Sequence, residues 1–170
     1  MIYNLVSCND PILFKETEKF DFTKEFPIHP IELSNNLIET MIHYKGLGLA
    51  ANQCGLPYRA FVLRSAEPLA VFNPRVIDRT TEEIQMEEGC LSYPNLLLPI
   101  KRPKTIKVRY NNFKGETITE TFTGMTARCF LHELDHLNGI DYTRHANAFH
   151  LQRALRKQKI FSRKVKYGTI

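Results

Sequence analysis

Residues Leu131–Gly139 read LHELDHLNG and contain His132-Glu133-x-x-His136. On an α-helix the two histidines stand roughly 6 Å apart along the axis and on one face, so both imidazoles can meet one ion. Glu133 adjoins the first of them. It can face the open coordination position without binding the metal and take a proton from the water held there. Phe130, Leu131, Leu134 and Leu137 flank the motif with apolar surface, which predicts a buried helix. Two histidines, Glu133 and Asp135 would be costly in such a place without a metal or polar partners. Asn138-Gly139 suits the left-handed end of the helix.

A catalytic site of the zinc type takes three protein ligands, and this motif supplies two. Proteases that use a downstream glutamate are excluded, because no glutamate follows Glu133. The longer pattern HExxHxxGxxH matches through Gly139 and then meets Tyr142 where the third histidine would stand. Asp141, His145, His150 and the cysteines remain as candidates. Cys129 shares the helix but lies roughly 10 Å along the axis from His136, too far to join both histidines comfortably. Cys90 stands in EEGCLSYP, between a glycine that lets the backbone approach and a proline expected to end the segment. Its thiolate is a good ligand from a neighbouring strand or loop, and a buried structural cysteine is the equal alternative.

Working outward, IELSNNLIETMIHYK (31–45) places Leu33, Leu37, Met41 and Tyr44 at helical spacing. Pro30 suits its first turn and Gly46 its end. Phe61-Val62-Leu63 and Ala70-Val71-Phe72 predict short strands, the second broken by Asn73-Pro74. TIKVRY (105–110) and ETITETF (116–122) alternate in polarity around Asn111–Gly115, the pattern of a hairpin. Gly124 separates that hairpin from the helix carrying His132, and a last helix is expected over about 146–162. Antiparallel strands and hairpins around a central metal-binding helix, with one helix near each end, make an α+β fold.

At 170 residues, with 43% hydrophobic and 24% charged residues, the chain predicts a single domain with a real core. Leu5-Val6-Ser7-Cys8 loosely resembles a lipoprotein cleavage box, but no basic region precedes it and Asp10-Pro11 follows at once. No run reaches the length of a membrane-spanning helix. The four cysteines form no CxxC pair, which predicts reduced thiols and a cytoplasmic setting. Residues 151–170 hold seven basic side chains and no acid, so a net charge of +5 leaves the rest at −2. Residues 1–150 are therefore read as the catalytic region and 151–170 as a basic helical tail of the same domain. Such a run is commonly a solvated helix face; the functional alternative is a salt-sensitive contact with ribosomal RNA.

Three segments together resemble one family. GLGLAANQ (Gly46–Gln53), EGCLS (Glu88–Ser92) and HELDHLNG (His132–Gly139) match, in order and spacing, the motifs GxGLAAxQ, EGCLS and HExDHLxG of the peptide deformylases. The similarity runs from about NDPILFKETEKFDF (9–22) to Asp141. It implies Cys90, His132 and His136 as ligands of one divalent ion, usually ferrous iron (Fe2+), with zinc, nickel or cobalt able to replace it. It implies hydrolysis of the N-formyl group from the formyl-methionine of new polypeptides, with Glu133 as base. The Gln53 amide and the Leu91 backbone N–H are then the oxyanion donors. By the same resemblance Gly46, Leu47, Gly48, Met86, Met125, Arg128 and Cys129 fall near the bound peptide and its methionine, and Glu88 pairs with Arg102 to support the Cys90 segment. Leu131 departs from the glutamine usual before the first histidine; an altered surrounding rather than lost activity is expected.

Overall fold

The structure is a computed structural model and describes residues 1–24 and 28–166. Helix α1 spans Pro30–His43, with His29 Nδ1 accepting from the Ile31 N–H and Pro30 in the first turn. Leu33, Leu37 and Met41 form its buried face, as their spacing predicts. Its exit differs from expectation. Lys45, not Gly46, takes the left-handed backbone (φ 58°), and the Gly46 N–H then returns to the Met41 carbonyl.

Strands β1 (Gly48–Ala50), β2 (Ala60–Leu63), β3 (Leu69–Arg79), β6 (Thr105–Asn111) and β7 (Thr117–Thr123) form one five-stranded sheet in the order β1-β2-β3-β6-β7. Its paired neighbours are all antiparallel. Asn73-Pro74 does not break β3. The register shifts between Phe72 and Arg75, and Asn73 adopts φ 50°. Its side chain accepts from the Phe20 N–H and donates to the Phe20 carbonyl, both at 2.8 Å. A bulge absorbs the proline where a regular ladder would not.

Strands β4 (Glu83–Cys90) and β5 (Tyr93–Pro103) pair antiparallel as a separate two-stranded sheet. Pro94 was expected to end the Cys90 segment, but it lies inside β5. With only one partner, each strand keeps an edge on which proline forfeits no ladder bond.

Helix α2 (Gly124–Leu137) leaves β7 through Gly124 (φ 59°) and ends at Asn138, with Gly139 left-handed (φ 68°). Its Ala127, Phe130, Leu134 and Leu137 pack against Phe61, Val71, Ile106, Val108 and Phe122 of the large sheet. The Phe130 ring meets Phe61 edge-on at 5.0 Å. Gly139 also permits a close crossing: a Cβ there would stand 2.7 Å from the Phe14 carbonyl carbon. The N-terminal strap then bonds the helix end, Thr17 N–H to Leu137 O at 2.8 Å.

Helix α3 (Ala148–Lys166) runs across the division expected at residue 150. Leu151 and Ala154 pack on the Leu96, Leu98, Ile100 and Tyr142 cluster, and Gln158 Nε2 donates to the Pro94 carbonyl. The β4–β5 hairpin is thereby held between α2 and α3.

Candidate metal centre and active site

His132 and His136 project from one face of α2, their ring centroids 5.2 Å apart. Cys90 ends β4 directly opposite. One donor atom from each of the three lies within 4.8 Å of the others, and Cys90 Sγ is 3.1 Å from His136 Nε2. All three side chains are buried. A thiolate and two imidazoles converging from a strand end and a helix suit a divalent ion that keeps one position open. His132 Nδ1 faces Glu88 Oε2 at 3.1 Å, which leaves Nε2 for the ion. The donor set fits a metal centre.

Glu88 does more than support the Cys90 segment. It accepts from Arg102 Nε (2.7 Å) and Nη2 (2.9 Å), from Arg128 Nη1, and faces His132. Arg102 Nη1 continues to Asp135 Oδ2 at 2.8 Å, and His145 meets the same oxygen at 2.9 Å. Burial alone would raise the Glu88 carboxyl, but the hydrogen bonds from His132 and Arg102 bring it down to about 2. For His132 burial disfavours the charge, yet Cys90 and Glu88 outweigh it and raise the ring. His136 is held low by burial and by its neighbour. One anion between two guanidinium groups is the arrangement that makes such charges tolerable in a protein interior.

Glu133 is 4% exposed, and its Oε2 has no hydrogen-bond partner among the described residues. Burial pushes its carboxyl up to about 7. Gly48 makes its place: a Cβ at residue 48 would stand 2.8 Å from Glu133 Cγ and Cδ. Sequence reasoning gave Gly48 only a role beside the peptide backbone. Nothing local in GLGLAANQ announces a contact with a residue so far along the chain.

Gln53 lies in the 3-10 turn Ala51–Cys54 that follows β1. Its Oε1 accepts from the Ala50 N–H, which turns its Nε2 toward Ser92 Oγ (3.1 Å) and Cys90 Sγ (3.5 Å). Asn52 Nδ2 donates to the His136 carbonyl and locks this turn to α2.

A cleft of about 400 Å³ opens onto these groups. Gly46, Leu47, Gly48, Gly89, Cys90 and Leu91 line it, together with Met125, Cys129 and Glu133. Leu47 and Met125 are 53% and 47% exposed, an apolar rim suited to a peptide side chain. Two expectations change. Met86 does not line the cleft; it is half-buried in β4 opposite Ile100. Arg128 does line it, but its guanidinium points into the hairpin, to Glu88 and to the carbonyls of Ile84 and Ile100. It fastens α2 to β4 and β5. Tyr142, at the position of a third histidine in the longer pattern, is buried behind His132 at 5.4 Å with its hydroxyl on Leu96 O.

A buried Cys-His-His donor set beside a glutamate oxygen without a partner, opening to an apolar-rimmed cleft, has the parts that metal-dependent hydrolysis requires. The family model described as polypeptide deformylase matches residues 2–152. A peptide deformylase of Thermotoga petrophila is 44% identical over 143 residues, covering 82% of this chain and 84% of that protein. One from the Wolbachia of Culex pipiens is 34% identical over 171 residues, covering 92% and 93%. The crystal structure of the Thermotoga maritima peptide deformylase aligns with a TM-score of 0.81 at 38% identity, covering 86% of this chain and 99% of that one. That of the Synechococcus elongatus enzyme in complex with actinonin aligns at 0.85 with 29% identity, covering 92% and 86%. The chain belongs to the polypeptide deformylase family. Its activity is removal of the N-formyl group from newly synthesised polypeptides.

Proposed function

We propose the following division of labour within that activity. Cys90, His132 and His136 hold one divalent ion, ferrous iron in the cell, with zinc, nickel or cobalt able to take its place. The ion supplies Lewis acidity toward water and the formyl oxygen. Glu133 Oε2 accepts the proton of the water that attacks the formyl carbon, then delivers it to the amine nitrogen as the C–N bond breaks and formate leaves. A carboxyl near neutrality suits a group that takes and returns a proton. The Gln53 amide and the Leu91 N–H steady the developing oxyanion. Gly46, Leu47 and Gly48 flank the peptide backbone, and the methionine side chain enters between Leu47, Met125 and Cys129.

The observation that carries this reading is the Glu133 oxygen, buried without a partner beside three converging metal donors. The test is formate release from formyl-Met-Ala-Ser. Glu133→Ala is expected to keep its metal by elemental analysis and to lose turnover by at least about 10²-fold, the scale of general-base contributions. A Glu133→Ala protein of normal activity would sink the assignment.

The enzyme works in the cytoplasm, for which the free cysteines among the described residues argue. No described helix is long and apolar enough to cross a membrane. Residues 151–170 act as the basic tail of the catalytic domain and touch ribosomal RNA near emerging chains.

A further inference from the structure

A second groove, of about 340 Å³, lies between the β4–β5 hairpin and α3. Leu97 and Pro99 give it apolar surface from β5, while Arg153 and Lys157, one helical turn apart on α3, give it two cations. Glu87 and Asn95 line this groove and the catalytic cleft alike, so the two share a border. Among the described residues neither Arg153 nor Lys157 takes part in an ion pair. Leu97 is 57% exposed beside them.

We infer that this groove receives the stretch of polypeptide following the formyl-methionine and favours acidic side chains in it, an inference that rests on the cleft assignment above. A peptide held in the cleft passes the shared border at Glu87 and Asn95 before it reaches α3. Glu87 repels an acid close to the cleft, so selection falls on residues further along, where Arg153 and Lys157 attract carboxylates. Leu97 and Pro99 offer contact to side-chain stems, a chemistry suited to peptide rather than to a phosphate backbone. The other basic face of α3, with Arg156, Lys159 and Arg163, lies roughly a third of a turn away, is exposed, and does not line this groove. One helix thus presents two cationic faces with different neighbours.

The test uses the metal-loaded enzyme and formyl-Met-Ala-Ser extended by equal runs of Asp, Asn or Lys. The expected order of kcat/KM is Asp above Asn above Lys, with about 3- to 10-fold between the extremes, carried by KM and fading as salt rises. Arg153→Gln with Lys157→Gln should erase the order and leave turnover of unextended formyl-Met-Ala-Ser unchanged. Arg153→Glu with Lys157→Glu should invert it. Equal rates for the three peptides in the wild type would overturn the inference, as would an order that survives in the Gln variant. A Gln variant that loses ribosome co-sedimentation but keeps the peptide order would assign the face to RNA and overturn it too. If the wild type failed on the unextended peptide, the cleft assignment itself would fall, a result distinct from all of these.

Discussion

Two hairpins of this protein, β6–β7 and β4–β5, solve the same packing problem in opposite ways. β6–β7 belongs to the large sheet, keeps unbroken register from Thr105–Thr123 to Asn111–Thr117, and buries Ile106, Val108 and Phe122 on one face. β4–β5 stands apart, carries Pro94, Pro99 and Pro103, and loses register before Cys90. Leu96, Leu98 and Ile100 pack it against Tyr142 and α3, and charge ties it to α2: Glu88 is clasped by Arg102 of β5 and Arg128 of α2. The first hairpin is scaffold. The second carries Cys90, and a buried ion network holds that side chain against the helix with a directionality that apolar packing lacks.

Cys90→Ala is the largest perturbation expected. With two imidazoles left, metal should be lost on gel filtration with a chelator and formate release should fall to background. A fully active, metal-replete variant would remove Cys90 from the donor set. Next comes Glu88→Ala, which leaves Arg102 with only Asp135 and Arg128 with only backbone carbonyls, and frees the His132 ring. Unfolding by urea should show a loss of about 3–5 kcal/mol, and metal affinity should fall about 10–100-fold. Val108→Ala in the other hairpin should cost a comparable few kcal/mol, about 2–4 for a buried aliphatic, while folded protein keeps wild-type kcat. Equal effects on metal affinity would erase the contrast between the hairpins.

Acid separates them further. The Glu88 carboxyl is lowered from 4.5 to about 2, so its contribution is full above pH 4.5 and is lost as pH falls from there toward 2. Urea midpoints measured across that window should drop more steeply for the wild type than for Glu88→Gln, by on the order of 3 kcal/mol in all. Parallel curves would mean that Glu88 is not held ionised by its partners. The smallest effect belongs to the exposed face of β7, where Thr119→Ser should stay within about 0.5 kcal/mol and leave turnover unchanged.

Much of this was legible beforehand, for identifiable reasons. α1, α2 and the β6–β7 hairpin are elements whose burial follows their own period, so Leu37, Phe130 or Val108 announces its face locally. The donor set became legible only once three separated motifs were taken together, because no rule of spacing brings Cys90 to His136. The β4–β5 strands were hidden because prolines and charges interrupt the alternation that signals a strand. Asn73-Pro74 suggested a break, since a bulge stitched by one asparagine side chain to Phe20 depends on a partner distant in sequence. The same holds for Arg128, whose place in the cleft wall was anticipated but not the direction of its guanidinium, and for Gly48, whose missing side chain is explained by Glu133.

The crossing of the N-terminal strap over Gly139 has a consequence for how the molecule assembles. Thr17 and Leu137 are 120 residues apart in sequence, and their bonds close the end of the helix that carries both His132 and His136. Loop closure over such a span comes late and is slow compared with forming a helix or hairpin. On a chain growing from the ribosome, the strap must wait for nearly all the remaining elements to appear before it has anything to bind. Competence for catalysis should therefore arrive as one of the last events of folding, after the large sheet has formed, and stopped-flow refolding should show activity lagging behind secondary structure.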